Sequence, residues 1–194
     1  MQASRFVLSS LVGAVALAAA GSALAEPSTY AVEPNHTFVY FEAKHFGTST
    51  VRGRFDKKDG SITIDPAAKT GKAEITVETG SINSGVEKFN GHLSSADFFD
   101  VAKFPTAKFV ADKFVFDGSK VASVEGKLTL HGETQPVTLT ATNYNCYQSP
   151  MFKKEVCGGD FETSFKRSAF GIKYGLPFIP DDVRLLIQIE AVKQ

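Results

Sequence analysis

The chain has 194 residues, 21 basic and 21 acidic side chains, and 43% apolar residues. Ample apolar content excludes a disordered chain, and the balance of charge removes any electrostatic reason to bind nucleic acid. The length suits one ordinary domain with a substantial core.

The chain opens on a segment with the form of a secretory signal. Arg5 is the single charge before an apolar run, Leu11-Val12-Gly13-Ala14-Val15-Ala16-Leu17-Ala18-Ala19-Ala20, and Ala23-Leu24-Ala25 is a small-x-small cleavage pattern. Cleavage after Ala25 would leave residues 26–194 as the mature domain, and no Cys follows that point to take a lipid. The signal holds one basic residue and no acidic one, so 169 residues with a net charge of −1 would remain. The expected location is the periplasm.

Beyond the signal, period-2 alternation dominates. Strand-like runs fall at 37–45, 51–55, 60–64, 72–79, 106–116, 119–131, 135–144, 160–168 and 183–192. Turn signals separate many of them: Asp59-Gly60, Asp65-Pro66, Asp117-Gly118 and His131-Gly132-Glu133-Thr134. Ala73, Ile75 and Val77 point one way, and Glu74, Thr76 and Glu78 the other. Val183, Leu185, Ile187, Ile189 and Ala191 oppose Arg184, Gln188 and Glu190. One wet face per strand predicts antiparallel strands. Around eight of them, with a short helical segment within 86–102, predict an all-β, up-and-down barrel. A barrel of about eight strands is either filled by side chains or holds one small ligand, and alternation does not choose between these.

Three features favour a cavity. The chain has 17 Phe and no Trp, and only Phe6 lies in the signal. That much aromatic carbon suits an apolar interior. Phe161, Thr163 and Phe165 share a face on which Arg167 also falls, and an Arg in an apolar row needs a partner, a rim or an anion. Phe38-Val39-Tyr40-Phe41 is apolar on both faces. Cys146 and Cys157 flank a turn-like insertion at 147–156, and an oxidising compartment predicts a disulfide between them.

Motifs for catalysis are missing. There is no Gly-x-Ser-x-Gly, His-Glu-x-x-His, phosphate loop or dinucleotide fingerprint. His36, His45, His92 and His131 have no compact metal spacing, and His131 sits in a turn where solvation is expected. On a continuous strand His36 and His45 would face opposite sides. Asp97-Phe98-Phe99-Asp100 reads as helix-end capping rather than a carboxylate pair. The expectation is no catalytic residue, no metal and no catalytic cofactor.

Taken together, Tyr30-Ala31-Val32-Glu33-Pro34-Asn35-His36-Thr37, Lys44-His45-Phe46-Gly47, Val51-Arg52-Gly53-Arg54-Phe55, His92-Leu93-Ser94-Ser95-Ala96-Asp97-Phe98-Phe99-Asp100, Phe104-Pro105, Gly126-Lys127-Leu128-Thr129-Leu130-His131-Gly132 and Arg167-Ser168-Ala169-Phe170-Gly171 resemble the YceI-like family of periplasmic proteins. The likeness spans nearly all of 26–194. The segment 146–159 looks like the family's Gram-negative branch. The sequence departs from the family pattern at Tyr30, where Trp is common, at Phe89-Asn90-Gly91 and at Ala169.

The resemblance implies an eight-stranded, lipocalin-like barrel with a long apolar tunnel. It implies an isoprenoid cargo, such as a polyprenyl phosphate or an isoprenoid quinone, and association with an inner-membrane b-type cytochrome. On this reading Phe38, Phe41, Phe109, Phe161 and Phe165 are the candidate wall residues, Arg167 is the candidate head-group contact, and His36 and His45 are further ligand candidates. The alternatives are a filled barrel acting as an interaction module for stress tolerance or a redox partner, and an enzyme with a His-based site. An exposed edge or helix could support a homodimer.

Overall fold

Alternation becomes strand almost throughout the computed structural model, which describes residues 26–194. The expected export signal lies outside the described residues. In chain order the strands are β1 (Ser28–Val32), β2 (Phe38–His45), β3 (Ser49–Phe55), β4 (Lys58–Asp65), β5 (Thr70–Glu78) and β6 (Ile82–Asn83). A short helix, α1 (Glu87–Ser94), precedes β7 (Thr106–Asp117), β8 (Lys120–Leu130), β9 (Glu133–Gln148), β10 (Glu155–Lys166) and β11 (Asp182–Lys193).

Every pairing is antiparallel, and the eleven strands form one sheet. They make eight staves, because the first three staves are each broken into two strands. β1 and β2 lie one after the other along β11, with Val32 opposite Ala191 and Phe38 opposite Gln188. β4 and β3 pair in turn with β1 and β2, and β5 and β6 pair with β4 and β3. β7 to β11 complete the ring, and the pairing of β11 with the first stave closes it. The result is the closed barrel that alternation predicts, of the lipocalin-like kind that the family resemblance implies. β1 and β6 escape the period-2 reading, since five and two residues are too short to show a period.

The breaks are held by buried polar groups. Pro34 has no N–H to offer a ladder, so the first stave must break there. Glu33, buried behind the break, accepts hydrogen bonds from Asn35 N (3.1 Å), Asn35 Nδ2 (2.8 Å) and His36 N (2.8 Å), and its carboxylate lies 2.7 Å from His36 Nδ1. Thr37 stitches the gap to β11: its hydroxyl donates to Glu190 O and accepts from Glu190 N. At the third break Thr79, fully buried, donates its N–H to Pro105 O and its hydroxyl to Phe104 O. These bonds satisfy backbone groups that a broken ladder would leave unpaired in the wall.

Of three local expectations, the disulfide holds and two differ from the structure. The 147–156 insertion is mostly strand: β9 and β10 run on to Gln148 and from Glu155, leaving a loop of 149–154. Cys146 and Cys157 are directly opposed across that hairpin and are disulfide-bonded. His131, expected in solvent, is packed. Its ring lies 4.5 Å from Phe104, Nδ1 meets Phe170 O at 3.2 Å, and Nε2 is buried without a partner. The turn there carries Gly132 beneath the Phe104 ring, where a Cβ would not fit.

Burial alone would raise the Glu33 pKa, but the hydrogen bonds from Asn35 and His36 prevail and hold it below its ordinary value. A folded-state pKa below the unfolded one stabilises the fold above the unfolded value, and that contribution is lost as pH falls through the folded value. Glu33→Gln is therefore expected to lower stability by about 1–3 kcal/mol at pH 7. The difference from wild type should narrow below about pH 4. Denaturant unfolding at neutral and acid pH checks both.

Candidate functional site

Inward-pointing residues of all eight staves enclose two cavities that meet end to end. The inner one has a volume of about 130 Å³ and the outer one about 250 Å³. Val39, Val77, Ala107, Leu128 and Leu185 line both, and so form a throat between them. A water molecule needs only about 10–15 Å³ of such space. This barrel is hollow, which settles against side-chain filling the choice that alternation leaves open.

The lining is overwhelmingly apolar. Phe109, Phe114 and Phe161 face the inner cavity; Phe41, Phe55, Phe89, Phe98, Phe99 and Phe165 face the outer one. Two glycines let large rings lie against the wall. A Cβ at Gly53 would sit 2.5 Å from the Phe41 ring across the β2–β3 ladder, and one at Gly126 would sit 2.7 Å from Phe109.

The two ends differ. Among the described residues, no exposed side chain lines the inner cavity. Its far end is formed by Tyr30, Tyr144 and the disulfide-bonded Cys157. The Tyr30 hydroxyl donates to Glu155 at 2.6 Å, and burial pushes both phenols upward, so they stay neutral. Lys58 contributes to this lining, and burial draws its pKa down. Its ammonium turns away, toward Asp56 O and the Phe38 ring. Only its aliphatic stem is left to the cavity.

The outer cavity reaches the surface at Lys44, His45 and Tyr174, which are exposed and also line it. His92 stands beside them, with its ring 5.3 Å from Tyr174 and Nε2 3.3 Å from Asp97 Oδ2. Among the described residues, no carboxylate side chain lines either cavity. The tunnel is therefore lined in its inner part by no exposed residue among those described, and at its outer end it reaches the surface through a mouth rich in donors.

Phe41, Phe109, Phe161, Phe165, His45 and Arg167 all line the tunnel. Phe38 does not. It is three residues from Phe41, so the pleat turns it outward, where Arg54 and Lys58 cover its ring at 5.0 and 4.4 Å. His36 also lies outside, on the break of the first stave, exposed and bound to Glu33. His92, Tyr144 and Tyr174 join the site without having been singled out as ligand contacts. α1 and the long 171–181 loop bring His92 and Tyr174 in, and a strand period cannot reveal that.

Arg167 has a second task. β10 ends at Lys166, and Arg167 opens a 3-10 turn, with 5% of its surface exposed. Its Nε donates to Pro180 O (3.1 Å), Nη1 to Ile172 O (3.2 Å) and Nη2 to Ile179 O (2.9 Å). Burial lowers its pKa, and the charge of Asp181 works the other way. Three of its five N–H groups are committed to folding the loop that borders the mouth. Among the described residues, no group of three or more His, Cys, Asp or Glu is placed to hold a metal ion.

Arg167→Ala would take the donors from three carbonyls, one buried and two part-buried, so it is expected to cost about 2–4 kcal/mol and to loosen residues 171–181 before the strands. Hydrogen exchange of that loop against the β9–β10 ladder measures it.

Comparison with known proteins gives one consistent result. The YceI-like domain model matches residues 30–191. A UPF0312 protein of Pseudomonas putida (strain W619) is 38% identical over 180 residues, 92% of this chain and 93% of its own length. One of Pseudomonas aeruginosa (strain LESB58) is 35% identical over 196 residues, 96% of this chain and 97% of its own. Among solved structures, Burkholderia cenocepacia BcnA superimposes with a TM-score of 0.69 at 26% identity, covering 82% of this chain and 99% of BcnA. The Campylobacter jejuni YCEI protein gives 0.68 at 28%, covering 78% and 90%. A polyisoprenoid-binding domain from Saccharophagus degradans shares the fold, with a TM-score of 0.61 at 14% identity, over 85% of this chain and 98% of the domain. With nearly its whole barrel matched by the family model, and relatives matched along almost all of both lengths, this chain belongs to the YceI-like family.

Proposed function

We propose that the protein is a non-catalytic periplasmic carrier for an isoprenoid lipid, either a polyprenyl phosphate or an isoprenoid quinone. The observation that carries this reading is the tunnel: apolar along its length, lined toward Tyr30 and Tyr144 by no exposed residue among those described, and reaching the surface at Lys44, His45 and Tyr174. A branched apolar chain suits such a lumen, because it can fill the space without needing hydrogen bonds. The donors at the mouth suit a phosphate or a quinone carbonyl left at the entrance. The polyisoprenoid-binding character of the Saccharophagus degradans domain agrees with this, as does the absence of a catalytic motif in the sequence. The disulfide and the signal-like N-terminus support an oxidising, exported setting.

Affinity would come from burial. Removing about 300 Å² of lipid surface from water is worth roughly 7 kcal/mol before ordering costs. A quinone cargo would make an inner-membrane b-type cytochrome the redox partner to test. The alternative of a filled barrel serving only as an interaction module lacks a structural basis, since the lumen is hollow.

Mass spectrometry of organic extracts, taken from protein purified from its native host without detergent, should show a near-stoichiometric isoprenoid. No lipid, together with no uptake of added quinone or polyprenyl phosphate, would remove the carrier reading. Ala107→Phe places a ring in the throat. It should keep the barrel folded by circular dichroism and shorten the bound chain or weaken it about tenfold. An unchanged cargo would mean that the inner cavity is not used.

A further inference from the structure

The tunnel mouth is ringed by aromatic side chains that no part of the described chain covers. Phe46 is 59% exposed and Phe178 is 70% exposed, and their rings stack at 6.5 Å although they come from different loops. Each adjoins a tunnel-lining residue, His45 and Ile179 respectively. Tyr174, itself part of the mouth, is 47% exposed. Phe46 also sits at φ +51°, in the left-handed region that a bulky residue rarely adopts. A glycine or asparagine would hold that turn more easily, so strain is accepted where the ring is presented.

The same rim is basic. Lys44 and Lys173 flank the aromatics, and among the described residues neither lies within ion-pair distance of a carboxylate. The nearby acids are otherwise engaged: Asp97 with His92, Asp181 with Ser168, and Asp182 with Lys166. Exposed aromatics beside unpaired lysines match the interface of an anionic bilayer, where rings enter the acyl boundary and ammonium groups meet phosphates.

We propose that this mouth-end tip docks on an anionic membrane surface, with Phe46, Phe178 and Tyr174 inserted and Lys44 and Lys173 at the head groups. Docked this way, the tunnel opens onto the bilayer, and a lipid moves between membrane and lumen without crossing water. The inference rests on the carrier reading for its purpose, but vesicle binding can be measured without any cargo.

The experiment is co-sedimentation of the full protein with vesicles of phosphatidylcholine, with or without phosphatidylglycerol. Wild type should bind, and more tightly when phosphatidylglycerol is present. F46S/F178S should lower partitioning by at least about tenfold, and K44Q/K173Q should reduce the phosphatidylglycerol preference by about fivefold per lysine. M151S/F152S alters the exposed tip at the opposite end of the barrel and should change nothing. Wild type that binds neither vesicle overturns the proposal, as does loss of binding confined to M151S/F152S. Wild type that stays off vesicles but sediments as a dimer, which F46S/F178S converts to monomer, would assign the face to a second copy instead. Uptake of dispersed quinone, assayed without vesicles, separates the two readings. Retention by F46S/F178S with loss of transfer from vesicles supports docking; failure in wild type that still binds vesicles removes the carrier reading and leaves docking standing.

Discussion

A sheet of eight staves has two edges, and a single strand removes both. β11 pairs with β10 along one side for nearly its whole length. Its other side is divided between β2, through Val183–Gln188, and β1, through Ala191–Lys193. That closure gives the inward residues no surface to pack on except one another and the lumen. It also removes the unpaired ladder groups that an open sheet would present to other chains. The apolar wall, the buried inner lining and the donor-rich mouth all follow from it.

Closure of broken staves has a physical cost, and the sequence meets it locally. Each interruption exposes backbone groups inside a wall that excludes water. Glu33, Thr37 and Thr79 stand where those groups need partners, and all three are buried with their hydrogen bonds made. Polar residues of the kind usually read as candidate chemistry here serve the container. Arg167 belongs with them, because its guanidinium organises the loop beside the mouth before it can meet any cargo.

Much of the fold was legible because period 2 is a strong signal. The faces read for 72–79 and 183–192 are the faces the barrel shows, since each strand has one wet side. The candidate site was legible only in part. Phe41, Phe109, Phe161 and Phe165 lie on the lumen, but Phe38 was grouped with Phe41 although an odd spacing puts them on opposite faces. His36 was grouped with His45 although Pro34 breaks the stave and Glu33 holds the imidazole outside. His92 and Tyr174 could not be placed from alternation, because a helix and a coil bring them to the mouth. His131 looked solvated because it lies in a His-Gly turn, while Phe104, distant in sequence, covers it.

A hollow core departs from the close packing that stabilises most domains of this size. The lining side chains lack dispersion partners on their inner side, so a lumen of this kind forgoes part of the contact energy a filled barrel would collect. The empty barrel must therefore be carried by its wall: a closed ladder, satisfied breaks and a disulfide across the β9–β10 hairpin. An apolar cargo would supply contacts that the chain itself withholds, and binding only the folded form would raise stability with the logarithm of its concentration over its Kd. The same need for an apolar interior segregates the polar groups. A charge deep in the lumen would demand water or a counter-ion and defeat an apolar chain, whereas donors at the mouth leave the interior dry and keep a polar head at the surface. In this barrel, emptiness and charge placement are two aspects of one design: the wall holds itself together so that the interior can be completed by something else.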